Sequence, residues 1–174
     1  MKKFLPTIIL RHRRENLKKC SLRGLESHTD LEFHTYPVTN VATLAPKLEG
    51  YCLLHIDGEP IQKEDLQKGL LLIDCNWIHV DKMAPQKVLQ DRQMTKRSIP
   101  PEWKTAYPRR QTHCDDPDRG LATVEALFIF WAIAGEIRLD FLEHYRWKRQ
   151  FLERNSALLE GIAFNAPIAS LMAR

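Results

Sequence analysis

The chain reads as an α/β protein with a mainly parallel sheet of about five strands and a helical C-terminal lobe, on three observations. Short apolar or alternating stretches at Leu5–Leu10, Leu31–Tyr36, Tyr51–Ile56 and Leu70–Ile73 are separated by polar connections and one short amphipathic helix. That alternation marks a parallel sheet covered by helices. Leu70 to Ile73 are apolar without a break, as in a strand buried on both faces, and from Leu121 onward the apolar spacing becomes helical. With 174 residues, 44% of them hydrophobic, the chain can form one domain or two small lobes sharing a core. We place the α/β domain in residues 1–107 and the helical lobe in residues 108–174.

In chain order, Leu5–Leu10 is apolar or β-branched around Thr7, with Pro6 at its edge, and forms the first strand. A basic loop, Arg11–Arg23, follows. The alternation of Leu31, Phe33 and Thr35 predicts a second strand closed by Pro37. Thr43–Lys47 is an irregular connection or a helical turn. Tyr51–Ile56 is a third strand ended by Asp57-Gly58, and Gln62–Lys68 a short helix. Beyond Trp77, Val80, Met83, Val88 and Leu89 recur at helical spacing interrupted by Pro85. The polar passage Asp91–Gly120 is long for a structureless loop, and Glu102–Tyr107 is its best candidate for a fifth strand.

Leu121–Ala134 is apolar nearly all round, which places this helix at the centre, and Gly135 ends it. A second long helix is expected from Ile137 to about Gly161. It turns Phe141, Leu142, Tyr145, Leu152 and Leu159 inward, and Arg146, Lys148, Arg149 and Arg154 mostly outward. The tail Phe164–Arg174 is apolar enough to dock.

Charge and cysteine usage narrow the classes. Between Arg11 and Arg23, six basic residues face Glu15 alone. That local charge of +5 on a chain totalling +4 leaves the remainder at −1. A basic patch on a near-neutral body suits a polyanion, although a solvated loop would read the same way. Cys20, Cys52, Cys75 and Cys114 form no CxxC or CxxH pair, so reduced thiols are expected. Cys75 and His79 alone do not make a zinc site, and no metal is expected. The apolar run containing Glu125 is too short and too charged for a membrane span, and the first residues lack a signal-peptide core. A cytoplasmic protein is expected, with a monomer as the favoured state.

The stretch GLLLIDCNW, Gly69–Trp77, delivers Asp74, Asn76 and Trp77 at the carboxyl end of a strand, where ligands bind in open α/β sheets. Turn chemistry after a strand, with Trp77 in the core, would produce the same letters.

Four segments read together carry more. ENLKKCSLRGLE (Glu15–Glu26), LLLIDCNW (Leu70–Trp77), RGLATVEAL (Arg119–Leu127) and YRWKRQFLERNSALLE (Tyr145–Glu160) occur in register. From about Arg11 to Glu160 the chain resembles the small-subunit rRNA aminocarboxypropyltransferase family, within the DTW-domain superfamily. The resemblance implies a SPOUT-like fold with a trefoil knot at an S-adenosylmethionine pocket. It also implies transfer of the 3-amino-3-carboxypropyl group to a pyrimidine nitrogen in structured RNA.

By the same resemblance, Ser21 lies beside the cofactor's amino-acid end, where a capping serine is the ordinary alternative. Asp74 binds the cofactor or accepts a ring proton, and Trp77 walls off the sulfonium methyl. Lys104, Thr105 and Ala106 belong to the loop whose backbone reads adenine. Leu121, Ala122 and Thr123 open the central helix toward a carboxylate or ribose oxygen. Arg13, Arg14, Lys18 and Lys19, with Arg109 and Arg110, rim the pocket as RNA-phosphate contacts. Trp147, beside Arg146 and Lys148, either stacks on RNA or packs half-buried on its helix.

Two departures from the family pattern are visible. Tyr107-Pro108-Arg109-Arg110-Gln111-Thr112 stands where Asn-Pro-Val-Asn-Tyr-Gly is common, followed by an insertion through Asp118, and Ala122 replaces a common Ser. Both lie at the cofactor loop and its rim, so they bear on the RNA target. Rival readings are transfer to tRNA uridine, a SPOUT-type RNA methyltransferase, and a non-enzymatic RNA-binding ribosome-assembly factor.

Overall fold

The computed structural model describes residues 4–38, 44, 47–75, 94–108 and 120–162. Their order is β1 (Thr7–His12), β2 (Leu31–Tyr36), β3 (Tyr51–Pro60), a 3-10 helix (Lys63–Gln67), β4 (Gly69–Asp74) and β5 (Lys96–Ser98), then the helices. These are α1 (Thr123–Ile133), a second 3-10 helix (Leu139–Leu142), α2 (Lys148–Arg154) and α3 (Ser156–Ile162). The five strands form one sheet in the order β2-β1-β4-β3-β5, and every pairing is parallel. The predicted α/β class and parallel sheet are therefore found.

Side-chain parity explains the unbroken apolar run in β4. Leu70 and Leu72 point to one face with Ile9 and Cys52, under the helices. Leu71 points to the other with Ile8, Leu10, Tyr51 and Leu53, under Leu44 and Leu48. Successive strand residues alternate faces, so a strand covered on both sides has no position left for a polar residue. Asp74 falls on the parity of Leu70 and Leu72, and Arg11 on that of Ile9, so both project toward the helical side.

α1 is buried along its length from Val124 to Ala132, as its all-round apolarity predicts. Full burial of Leu127, Phe128 and Ile129 stabilises the fold by about 1.5–3 kcal/mol each. Phe128 meets Phe151 of α2 edge to face at 5.7 Å. The helix ends as expected: Gly135 has φ +85°, Gly135 N–H donates to Ala132 O at 2.8 Å, and Glu136 N–H to Trp131 O at 2.9 Å. Only a residue at ease with positive φ closes a helix in this way.

Three expectations are corrected. The second long helix, Ile137–Gly161, is broken into the 3-10 turn, α2 and α3. The break between α2 and α3 falls at buried Asn155, whose amide group donates to Phe151 O and Lys104 O and accepts from Lys104 N, each at 2.8 Å. A side chain that takes a helical carbonyl and a distant backbone competes with continuation of the helix. The fifth strand is Lys96–Ser98, not Glu102–Tyr107, because the backbone of 104–107 is spent on side chains rather than on a neighbouring strand. β3 runs past Asp57-Gly58 to Pro60, resuming pairing at Glu59↔Arg97 after an irregularity. Gly58 is a close-approach glycine there, since a Cβ would lie 2.5 Å from the Arg97 backbone. The expected helix around Val80–Leu89 and the tail Phe164–Arg174 lie outside the described residues, as does most of Thr43–Lys47.

At Gly69, β4 passes the Tyr51 ring so closely that a Cβ would sit 2.4 Å from it, and the ring is anchored by its hydroxyl to Pro6 O at 2.7 Å. Gly69→Ala therefore overpacks a fixed aromatic and destabilises by about 1–3 kcal/mol. The change should appear as a lower urea midpoint with unchanged slope, and Tyr51→Leu in the same chain should return part of it.

Candidate functional site

The chain leaves β1 toward β2 on one side of the sheet, while β3 and β5 lie on the other side of β4. The carboxyl ends of β1 and β4 thus form the topological switch point, where open α/β sheets hold ligands. Arg11 and Asp74 are register partners at that point.

Asp74 is 3% exposed and carries three donors. Its Oδ2 accepts from Arg11 Nε at 2.7 Å and from Cys20 Sγ at 3.3 Å, and its Oδ1 accepts from Thr123 Oγ1 at 3.0 Å. One carboxylate therefore joins β1, the basic loop and the first turn of α1. Arg11 also reaches Glu26 at 3.2 Å and lies over the Phe33 ring at 4.6 Å. Burial works against the Arg11 charge, but the bond to Asp74 and the charges of Cys20 and Asp74 outweigh it and raise its pKa. Removing Arg11 alone would strand a buried carboxylate, a loss of about 3–5 kcal/mol. Ser21 Oγ accepts from Val124 N–H at 3.3 Å, so it satisfies an orphan donor at the start of α1 from 103 residues away.

Beside this cluster lies a cavity of about 130 Å³ at the ends of β3, β4 and β5. Its walls include Leu54, Ile73, Ile99, Trp103, Leu121 and Thr123. The surface is mainly apolar, and Thr123 belongs both to it and to the Asp74 cluster.

The loop at 104–107 is held from beneath. Asn155 takes both backbone groups of Lys104, Arg154 donates to Thr105 O at 2.6 Å, and Tyr107 N–H donates to Thr105 Oγ1 at 2.9 Å. Glu125, fully buried, accepts from Thr105 Oγ1 at 2.7 Å, Ala106 N and Ala122 N at 2.8 Å each, and Tyr145 Oη at 2.9 Å. Burial raises the Glu125 carboxyl above its ordinary range despite these donors. Burial, and then the Glu125 charge, likewise raise the Tyr145 phenol.

Of the residues marked out from sequence, Asp74 and Thr123 are hydrogen-bonded at the switch point, Ser21 accepts from the N–H of the next residue, Val124, Ala122 N–H donates to Glu125, and Leu121 lines the cavity. Lys104, Thr105 and Ala106 lie next to the cavity wall at Trp103 without lining it themselves. Arg13, Arg14, Lys18 and Lys19 are exposed on the loop after β1, whereas Arg11, counted with them in the basic run, is turned inward. Trp147 is half-buried, edge-on to Tyr107 at 5.1 Å, which is packing geometry. Trp77, Arg109 and Arg110 lie outside the described residues. Among the described residues no group of three His, Cys, Asp or Glu could hold a metal ion, and no helix is long and apolar enough to cross a membrane.

No protein-family model and no curated protein matches the chain. A solved structure does, that of the SAM-dependent rRNA:acp-transferase Tsr3 from Vulcanisaeta distributa. The TM-score is 0.63 at 20% identity, over 94% of this chain and 85% of that one. The fold is Tsr3-like. The α/β class with a parallel sheet agrees with the expectation from sequence.

Two side chains that organise this geometry, Arg11 and Glu125, are not singled out by motif or resemblance. Arg11 was hidden in a run of like charges, and only its place as the last inward residue of a strand distinguished it. Glu125 carried a plainer signal, a carboxylate in the first turn of an otherwise apolar helix.

The cysteines have a measurable consequence. Cys20, Cys52 and Cys75 are free. Burial, and then the Asp74 charge, push the Cys20 thiol up to about 12. Since the thiolate is the reactive form, iodoacetamide at pH 8 should label Cys20 roughly a thousandfold more slowly in the native protein than in denaturant. Peptide mass spectrometry reads the two rates, and equal rates would mean that the thiol is not buried beside Asp74.

Proposed function

We propose that this chain is an S-adenosylmethionine-dependent aminocarboxypropyltransferase, acting in the cytoplasm on a pyrimidine nitrogen of ribosomal RNA. One observation carries the reading: on a Tsr3-like fold, an apolar cavity, a buried carboxylate cluster and an exposed basic loop converge on the carboxyl edge of the sheet. The resemblance of the four segments supports it independently. With it goes the SPOUT-like trefoil knot that the resemblance implies.

The residues present fit the cofactor. Leu54, Ile73, Ile99 and Trp103 offer an apolar wall to an adenine ring or a thioether, while Thr123, held by Asp74 behind it, brings a polar group to one end. S-adenosylmethionine bound there supplies an electrophilic carbon with a neutral thioether as leaving group, so no general acid is required, and the ring N–H proton passes to solvent water. Ser21 and Ala122 set the start of α1, Leu121 and Thr123 face the cavity, and Lys104, Thr105 and Ala106 present the loop beside it. The resemblance assigns Trp77 to the methyl side of the sulfonium.

Asp74 acts as organiser of the pocket's rim rather than as proton acceptor, because Arg11, Cys20 and Thr123 already donate to it. Arg13, Arg14, Lys18 and Lys19, joined by Arg109 and Arg110, hold phosphates and bring an unstacked base to the pocket.

The purified protein should bind S-adenosylmethionine in calorimetry and, with substrate RNA, release methylthioadenosine. Release of S-adenosylhomocysteine would make it a methyltransferase, and absence of binding a scaffold. Asp74→Asn should weaken cofactor binding by about tenfold or more, as loss of a charge-assisted contact does. A variant that binds normally but loses turnover would instead make Asp74 the base.

For the RNA face, replacing Lys18 and Lys19 by Ala should lower the slope of log affinity against log salt by about 2. Fluorescence anisotropy with a ribosomal RNA fragment measures this. An unchanged slope would remove these lysines from the interface.

A further inference from the structure

α1 is an 11-residue helix of apolar side chains interrupted by one carboxylate, Glu125, which has no exposure to solvent. A buried carboxylate persists only where its lone pairs find donors. Glu125 finds four, and they come from three separate parts of the chain. Ala122 N–H belongs to its own helix start, Thr105 Oγ1 and Ala106 N–H to the loop, and Tyr145 Oη to the C-terminal lobe. Capping α1 accounts for the first bond alone. The other three reach residues 19 or 20 positions away and do nothing for the helix.

The arrangement has a direction. Asn155 and Arg154 fasten the backbone of Lys104 and Thr105 to α2 and its end. Glu125 joins the loop to that start, where Leu121 and Thr123 line the cavity and Thr123 holds Asp74. Tyr145 stands beside Trp147 at 5.8 Å, and Trp147 beside Tyr107 at 5.1 Å, so the far end of the loop is tied to the same hydroxyl-bearing residue.

We propose that Glu125 is a positioning residue for the cofactor pocket, setting the 104–106 loop at a fixed distance from the start of α1 and hence from Asp74. Glu125 touches no reacting atom in this role. Its effect falls on affinity for the cofactor, because the loop follows directly on Trp103 of the cavity wall, and the helix start supplies Leu121 and Thr123 of the same wall. The inference rests on the reading of the cavity as an S-adenosylmethionine site.

The test compares wild-type protein, E125Q and Y145F by calorimetry with S-adenosylmethionine and by hydrogen exchange of the Ala106 and Ala122 amides. Gln cannot accept at both ends, so E125Q should weaken cofactor binding on the order of tenfold and Y145F about threefold. Turnover at saturating cofactor should change less than affinity in both. Exchange at Ala106 and Ala122 should rise together in E125Q. Cofactor affinity within twofold of wild type in a folded E125Q, whatever its melting temperature, would make Glu125 structural only and overturn the proposal. Should E125Q fail to fold, Y145F decides by the same criterion, because it removes one donor and leaves the helix cap intact. If wild-type protein does not bind S-adenosylmethionine, the cofactor reading falls and this role toward the cofactor falls with it. Binding by wild type with equal binding by both variants overturns the role of Glu125 alone.

Discussion

The ion pair between Arg11 and Asp74 is the contact on which the candidate site depends. It bonds the carboxyl ends of the two central strands side chain to side chain, just where the backbone ladder between them stops at Arg11↔Asp74. Among the described residues, no register pair beyond it holds the two strand ends together. A guanidinium and a carboxylate, both turned to the helical face by strand parity, hold them instead. Through Thr123 and Cys20 the same carboxylate fixes the start of α1 and the inner edge of the basic loop.

A second carboxylate repeats the device one layer away. Glu125 gathers the loop, the helix start and Tyr145 ahead of α2 as Asp74 gathers the strands and the basic loop. Each is costly to bury alone, and each is surrounded by donors from segments distant in sequence. Apolar packing could hold the same segments near one another, but with less directional control. Two saturated carboxylates, sharing the short stretch Ala122–Glu125, specify how the cavity wall and the switch point face each other.

Much of this was legible in the residues. The runs at Leu31–Tyr36 and Leu70–Ile73 gave strands, because alternation, or continuous apolarity over so few residues, matches the period and length of a strand better than those of a helix. The all-round apolar helix and its Gly135 stop were equally plain. Asp74 and Thr123 were marked through resemblance and do meet. What could not be read were decisions taken between distant segments. Asn155 breaks a helix that periodicity alone would continue, because its partner is Lys104, 51 residues away. Arg11 turns inward from a basic run because Asp74 stands 63 positions later. Gly58 looks like a strand terminator until Arg97 is brought against it.

The bond from Ser21 to Val124 bears on how the molecule is made. The start of α1 draws an acceptor from the first loop, and Asp74 awaits a hydroxyl from residue 123. A chain emerging from the ribosome can pair β1 with β2 early, but the switch point stays open until about two thirds of the sequence has been synthesised. Such non-local closure slows folding, since loop entropy is lost before the contacts are gained. Formation of the site is therefore a late event in synthesis, and a nascent chain halted before α1 carries the basic loop without the pocket it is meant to serve.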